Sequence, residues 1–170
     1  MLLAAGCGKS SKPETAQEWA NSFCSSVTTW KNSVTSTVSS LKGSSLTKDS
    51  ITSAFDDFKS ATKTFENDVK KLGKPPTKSG DQAKQDVDNL TSQVDDSVQA
   101  LQSAVNNASS GAGGILSAVS VASTEFTKVK TEVQSTFQSL QQLEPGGELQ
   151  QAFQQSESCK SLKSSSGSSS

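Results

Sequence analysis

The sequence predicts an all-α protein, an up-down-up-down four-helix bundle followed by a short fifth helical segment near the C-terminus. Three observations predict this fold. Apolar residues recur at alternating spacings of three and four over four long runs, which is the period of one buried helix face. Breaks rich in glycine, serine and proline separate the runs. None of the runs sustains the every-second-residue alternation that indicates a strand.

The first run lies between Pro13, which suits the start of a helix, and Gly43, which suits its end. Its apolar positions are Trp19, Phe23, Val27, Trp30, Val34, Val38 and Leu41. Trp19 and Trp30 are about three helical turns apart and therefore share a face. Because both fit the apolar stripe, we expect them in the core. The alternative is that they form stacking platforms for a ligand or a partner.

The second run is expected to begin with Asp49 or Ser50 as its N-cap. Its stripe consists of Ile51, Phe55, Phe58, Thr62, Phe65, Val69 and Leu72. Gly73 suits a left-handed C-cap, and Pro75 then prevents the helix from continuing.

The third run is expected to begin at Ser79 or Asp81. Its stripe consists of Ala83, Val87, Leu90, Val94, Val98, Leu101 and Val105. A break at 109–114 separates it from the fourth stripe, which consists of Ile115, Val119, Ala122, Phe126, Val129, Val133, Phe137 and Leu140. After a second break at 143–147, the segment from Glu148 to Leu162 carries a short apolar side.

The domain boundaries follow from composition. Residues 15–162 are predicted to form the helical bundle, and residues 8–14 a flexible polar tether. The serine-rich residues 163–170 cannot bury apolar surface, so we expect a disordered tail.

The composition argues against several classes of function. The net charge is −1, and all 16 basic residues are lysine. The lack of arginine argues against nucleic-acid recognition, because arginine makes the usual bidentate contacts with phosphates and bases. The chain also lacks histidine, the commonest general base and metal ligand at neutral pH. We therefore predict that the protein is not an enzyme and holds no metal or cofactor.

A metal site built only from carboxylates is the alternative to weigh. Its candidate ligands are Asp56, Asp57, Glu66, Asp68, Asp86, Asp88, Asp95 and Asp96. Most of these residues lie off the apolar stripes, which indicates solvated helix faces rather than a site.

The N-terminal segment Leu2-Leu3-Ala4-Ala5-Gly6-Cys7 resembles a bacterial lipobox, the end of a lipoprotein signal peptide. In that pattern small residues precede a cysteine. The resemblance implies cleavage between Gly6 and Cys7 and a thioether-linked diacylglycerol on Cys7. Residues 1–7 would then be the remainder of a signal peptide and its lipobox. The protein would be held by this lipid on the outer face of the bacterial cell membrane.

With Cys7 assigned to a lipid, Cys24 and Cys159 remain. In an exported protein an even remainder predicts a disulfide. Such a bridge would hold the fifth segment across the first helix. The alternative is that the two are separate, small buried residues.

Three further stretches extend the resemblance. Trp19-Ala20-Asn21-Ser22-Phe23-Cys24, Leu72-Gly73-Lys74-Pro75-Pro76-Thr77 and Leu143-Glu144-Pro145-Gly146-Gly147-Glu148-Leu149 are similar to features of small exported helical lipoproteins of actinobacterial type. The resemblance implies a fold and a location. It implies no activity and no catalytic or binding residue.

Two function hypotheses follow. The first is a lipid-anchored, non-catalytic module that binds a protein or another component of the cell envelope, or acts as a scaffold. The alternative is an extracytoplasmic ligand-binding protein, either a sensor-like bundle or a carrier of a small apolar molecule between its helices. An inert stalk that only spaces other parts of the envelope is a third hypothesis.

Overall fold

The computed structural model describes residues 15–41, 46–108 and 111–166 of the chain. These residues form six helices and no strand, which confirms the all-α fold. The helices are α1 Ala16–Ser40, α2 Lys48–Leu72, α3 Gly80–Asn107, α4 Ala112–Gln142, α5 Glu148–Gln155 and α6 Glu157–Ser166. The fifth segment is thus two helices rather than one. α6 also continues past Leu162, the expected end of the bundle, to Ser166.

Three hydrogen bonds between helix ends establish the up-down-up-down order. The indole Nε1 of Trp19, near the start of α1, donates to the carbonyl oxygen of Gly73 at the end of α2 (2.9 Å). Lys48 Nζ at the start of α2 donates to the carbonyl oxygen of Ala108 at the end of α3 (2.9 Å). Ser79 Oγ, before α3, donates to Glu144 Oε2, just after α4 (3.2 Å). Successive helices therefore run antiparallel.

The first two helices begin with reciprocal caps. Thr15 accepts from the backbone N–H of Glu18, and the Glu18 side chain accepts from the N–H of Thr15, both at 3.1 Å. Thr47 and Ser50 form the same arrangement at α2. Each pair satisfies two backbone donors that the first turn leaves without a helical partner. The expected N-cap of α2, Asp49 or Ser50, was therefore wrong: Thr47 holds that position.

The α2–α3 turn is built differently from the expectation. Gly73 ends α2 at φ +65°, but its ψ of −152° lies outside the left-handed helical region and in a region that is essentially restricted to glycine. Ser79 precedes α3 as expected, yet its side chain makes no cap. Its hydroxyl instead donates a hydrogen bond to Glu144, so Ser79 links the start of α3 to the end of α4 rather than capping α3.

The four apolar stripes form the core, but they are not buried to the same extent. Every predicted stripe residue of α2 and α3 is buried. In α1 and α4 the stripe is buried mainly in the halves near Trp19 and Leu140. Val34, Leu41, Ile115 and Val119 are only partly buried at the opposite end, and Leu116 beside them is 64% exposed. The two ends of the bundle are therefore packed unequally.

α5 and α6 complete the better packed end. Both pack against α1, and α5 also contacts α4. Phe153 of α5 meets Trp19 and Phe23 edge to face, with ring centroids 6.2 and 6.3 Å away, and Phe137 of α4 at 5.4 Å. Edge-to-face geometry is favourable for such rings. The expectation that the last segment folds across the first helix is confirmed.

Ser156 explains the break between α5 and α6. Its hydroxyl accepts from the backbone N–H of Cys159 (3.3 Å), which caps α6, and donates to Asn21 Oδ1 of α1 (3.1 Å). The chain can therefore restart as a helix along α1.

Among the helices that the structure describes, none combines the length and apolar character needed to cross a bilayer.

Candidate functional site

A groove of about 650 Å³ lies between α1 and α2, and we call it the α1–α2 groove. It extends from Ser26 to Ser40 along α1, roughly 21 Å at the rise of an α-helix. Its lining residues are Ser26, Thr29, Trp30, Asn32, Ser33, Ser36, Thr37, Ser40, Asp57, Ser60, Ala61, Thr64, Phe65 and Asp68. The walls are thus mostly hydroxyls from helix positions beside the two apolar stripes.

Many of these hydroxyls have already used their only hydrogen. Thr37 donates to the carbonyl oxygen of Ser33 (3.0 Å), and Ser40 to that of Thr37 (2.7 Å). Ser33 and Thr64 likewise donate to the carbonyls four residues before them. A hydroxyl with its hydrogen engaged offers other partners only lone pairs. These four hydroxyls therefore present hydrogen-bond acceptors to the groove.

Asp57 and Asp68 add two carboxylates to the groove. They lie eleven residues apart on α2 and so fall on nearly the same face, roughly 16 Å apart along the helix. No lysine is among the lining residues. Asp68 forms a 3.6 Å ion pair with Lys71, in which both side chains are largely exposed. Pairs of this kind are weak and exchangeable.

Trp30 and Phe65 form the floor of the groove. Their ring centroids are 5.8 Å apart, and the Trp30 indole donates to Thr62 Oγ1 (3.1 Å) inside the bundle. Trp30 is 6% exposed, and Trp19 is fully buried. The structure therefore places both tryptophans in the core, as expected, and Trp30 also lines the α1–α2 groove.

A second groove, of about 470 Å³, lies between α1, α4 and α6, and we call it the glutamine groove. Its apolar lining consists of Val27, Val133, Phe137 and Leu162. Gln134, Gln138 and Gln141 form its polar side, and none of its lining residues is charged. Its chemistry therefore differs from that of the α1–α2 groove.

The predicted cysteine pair is bonded. Cys24 Sγ and Cys159 Sγ are 2.04 Å apart, and both residues are fully buried. The bridge joins α1 to α6 beside the glutamine groove, whose lining residues Val27 and Leu162 each lie three positions further along the chain. Cys7, the predicted lipidation site, lies outside the described residues, so its role stays a prediction.

Glu66 departs from the solvated-face interpretation. It is 8% exposed between α2 and α3. Burial raises the pKa of Glu66 to about 7, and a hydrogen bond with the Asp95 side chain of α3 raises it further against the opposing charge of Lys70. Two carboxyl groups that share a hydrogen bond must share a proton. The Glu66–Asp95 pair therefore links α2 to α3 as long as one of the two carboxyl groups is protonated.

A signal for Glu66 is present in the sequence. It lies four residues after Thr62 and three before Val69, both members of the α2 stripe. That spacing places its side chain on the flank of the buried face. The polarity of the residue, rather than its spacing, led to its assignment to solvent.

The other carboxylates do not gather into a metal site. Asp86 and Glu132 line a small groove between α3 and α4, and one oxygen of each is shielded from solvent without a hydrogen-bond partner. Burial raises the pKa of Glu132, opposed by Lys128 and assisted by Glu125. Within the described residues, no group of three acidic, histidine or cysteine side chains is arranged to hold a metal ion.

No family model, no curated protein and no solved structure matches this chain.

Proposed function

We propose that this chain is a lipid-anchored, non-catalytic helical module on the outer face of a bacterial cell membrane, where it binds a protein or another envelope component. The observation that carries the proposal is the buried disulfide between the first and last helices. Structural disulfides of this kind belong to oxidising, extracytoplasmic compartments. The bridge leaves Cys7, in the segment that resembles a lipobox, for the lipid.

The α1–α2 groove supports the binding role. Its polar walls surround a recess of about 650 Å³ on the surface of an otherwise tightly packed helix pair. Binding sites are characteristically concave, with polar groups that fix the orientation of the bound molecule.

The anchor is tested by the intact mass of the native protein from its own membranes, with and without reduction and alkylation. We expect a chain that begins at Cys7 and carries a lipid, with two alkylation sites that appear only after reduction. A Cys7→Ser variant should lose the lipid and leave the membrane fraction. A native chain without lipid would contradict the anchor even if the disulfide were present.

The binding role is tested by cross-linking in intact membranes. A Ser33→Trp variant fills the α1–α2 groove from its wall, and we expect it to lose cross-linked products formed by the unmodified protein. Ser53→Trp is the matched control, because Ser53 is exposed on α2 and lies outside the lining. Equal products from all three proteins would argue against this groove as the contact.

A carrier of a small apolar molecule is the second candidate, and the glutamine groove favours it. Its four apolar side chains and uncharged rim suit an aliphatic ligand. The test is uptake of a fluorescent fatty acid by the disulfide-bonded protein. Gln138→Trp should block uptake, whereas Gln142→Trp, also exposed on α4 but outside the lining, should not. No uptake by the unmodified protein would exclude the carrier.

A further inference from the structure

We propose that the α1–α2 groove binds a linear polyamine, an extended aliphatic chain that carries several ammonium groups. This inference goes beyond the lipid-anchored module and depends on the groove alone.

The two carboxylates set the charge and the length of the ligand. Asp57 and Asp68 lie roughly 16 Å apart on one side of α2, and the lining contains no basic residue to neutralise them. Lys71, the exposed partner of Asp68, lies outside the lining and can be displaced. An anionic ligand would meet the like charge of both carboxylates. A ligand with one cation could satisfy only one carboxylate, so the spacing favours ammonium groups at both ends of an extended chain.

The hydroxyls between the carboxylates favour a donor-rich ligand. Ser33, Thr37 and Thr64 have each given their hydrogen to a helix carbonyl, and an ammonium group has only donors to offer. Asn32 is the lining side chain with obligatory N–H donors, and the two carboxylates and these engaged hydroxyls offer acceptors. Ammonium groups within the chain of a polyamine would therefore meet hydroxyl oxygens along the walls.

The floor suits the methylene segments between the ammonium groups. Trp30 and Phe65 present small exposed parts of their rings there, and Ala61 adds a further apolar side chain to the lining. Aliphatic groups pack well on aromatic carbon, and a nearby ammonium group is attracted to the ring face. A wide planar ligand has no comparable exposed ring on which to stack, because both rings are almost entirely buried.

The experiment is a calorimetric titration of the full disulfide-bonded chain with spermine, a linear tetraamine, and with 1,4-diaminobutane, a short diamine. NMR shift mapping locates the site. The test variant is Asp57→Asn combined with Asp68→Asn. The control is Asp56→Asn, because Asp56 is exposed next to Asp57 and does not line the groove. A peptide with two lysines is titrated separately, to test whether the groove prefers the lysine side chains of a protein to a free polyamine.

We expect spermine to bind more tightly than the diamine and to shift groove residues. The double variant should weaken spermine binding roughly ten-fold, since two exposed charge pairs are lost, while Asp56→Asn should leave it unchanged. Equal affinity for the two amines, equal weakening by the control, or shifts outside the groove would each overturn the proposal. Tighter binding of the lysine peptide than of spermine would also overturn it. The titration needs no lipid or membrane. A negative titration would therefore not contradict the lipid anchor, and absence of the lipid would not contradict polyamine binding.

Discussion

At the scale of single residues, Glu66 makes the stability of the bundle depend on pH. Its pKa is about 7 in the folded protein and 4.5 in an ordinary glutamate. Between these values the folded chain binds more protons than the unfolded chain, so the stability that protonation provides is lost as the pH rises. The raised pKa of Glu132 acts in the same direction. The protein should therefore be more stable at pH 5 than at pH 8.

Glu66→Gln tests this assignment. The amide keeps the shape and the hydrogen bond to Asp95 but has no charge to bury, so we expect a gain on the order of 1–3 kcal/mol at pH 8 and a flatter pH dependence. Urea unfolding at pH 5 and pH 8 measures both. Asp56→Asn, exposed on the same helix, serves as the control. A pH slope as steep as that of the unmodified protein would show that another group sets it.

Thr62 is a buried polar residue whose role depends on one contact. It is 1% exposed and accepts the Trp30 indole N–H. Thr62→Val conserves shape but leaves that donor unsatisfied, which should reduce the free energy of unfolding by about 1–3 kcal/mol. Thr64→Val removes a hydroxyl that is exposed on the same helix, and its effect should be much smaller. Similar losses for the two variants in urea unfolding would contradict the role of the indole bond.

At the scale of elements, the α2–α3 turn requires glycine at position 80. A Cβ there would lie 2.2 Å from the Pro75 carbonyl oxygen, so Gly80→Ala forces the turn apart. We expect a loss of roughly 1–3 kcal/mol, typical of overpacking. Gly113→Ala, in the first turn of α4, meets nothing within 4 Å. Because alanine favours a helix, this control should be neutral or stabilising by up to about 1 kcal/mol. Thermal unfolding of both variants provides the comparison.

The long helices were predictable from sequence, and several of their ends were not. The stripes of α2 and α3 are regular and are buried throughout, so their spacing alone identified the core. The start of α2 was misplaced because several neighbouring residues are good caps, and the reciprocal Thr47–Ser50 bonds decide between them. Ser156 gave no signal as a break, because its role depends on a contact with Asn21 of α1, distant in the chain.

At the scale of the whole molecule, the grooves lay beyond what periodicity can predict. A stripe shows which residues face the core, but it does not show how closely two helices approach. The α1–α2 groove arises where small polar residues flank both stripes, so that the helices touch through Trp30 and Phe65 and leave space outside them. Glu66 shows the same limit, because its burial depends on where α3 places Asp95.

The disulfide determines whether the last two helices stay on the bundle. The bridge closes a loop of 135 residues, so its removal should reduce the free energy of unfolding by about 4–5 kcal/mol in the chain-entropy model. α5 and α6 are short, and isolated helices of their length are marginal in water. They therefore depend on the bridge and on Phe153, which packs against Trp19 and Phe23.

Cys24→Ala combined with Cys159→Ala tests this dependence with little change of volume at either site. We expect hydrogen exchange to speed up first in α5 and α6, then at the Trp19 end of α1 that they cover, while α3 keeps its protection. Fluorescence of Trp19 should shift to the red as Phe153 withdraws. Uniform loss of protection in all helices would contradict this order and indicate a single cooperative unit. Unchanged protection in α5 would show that Phe153 and its aromatic neighbours suffice to hold this end of the bundle closed.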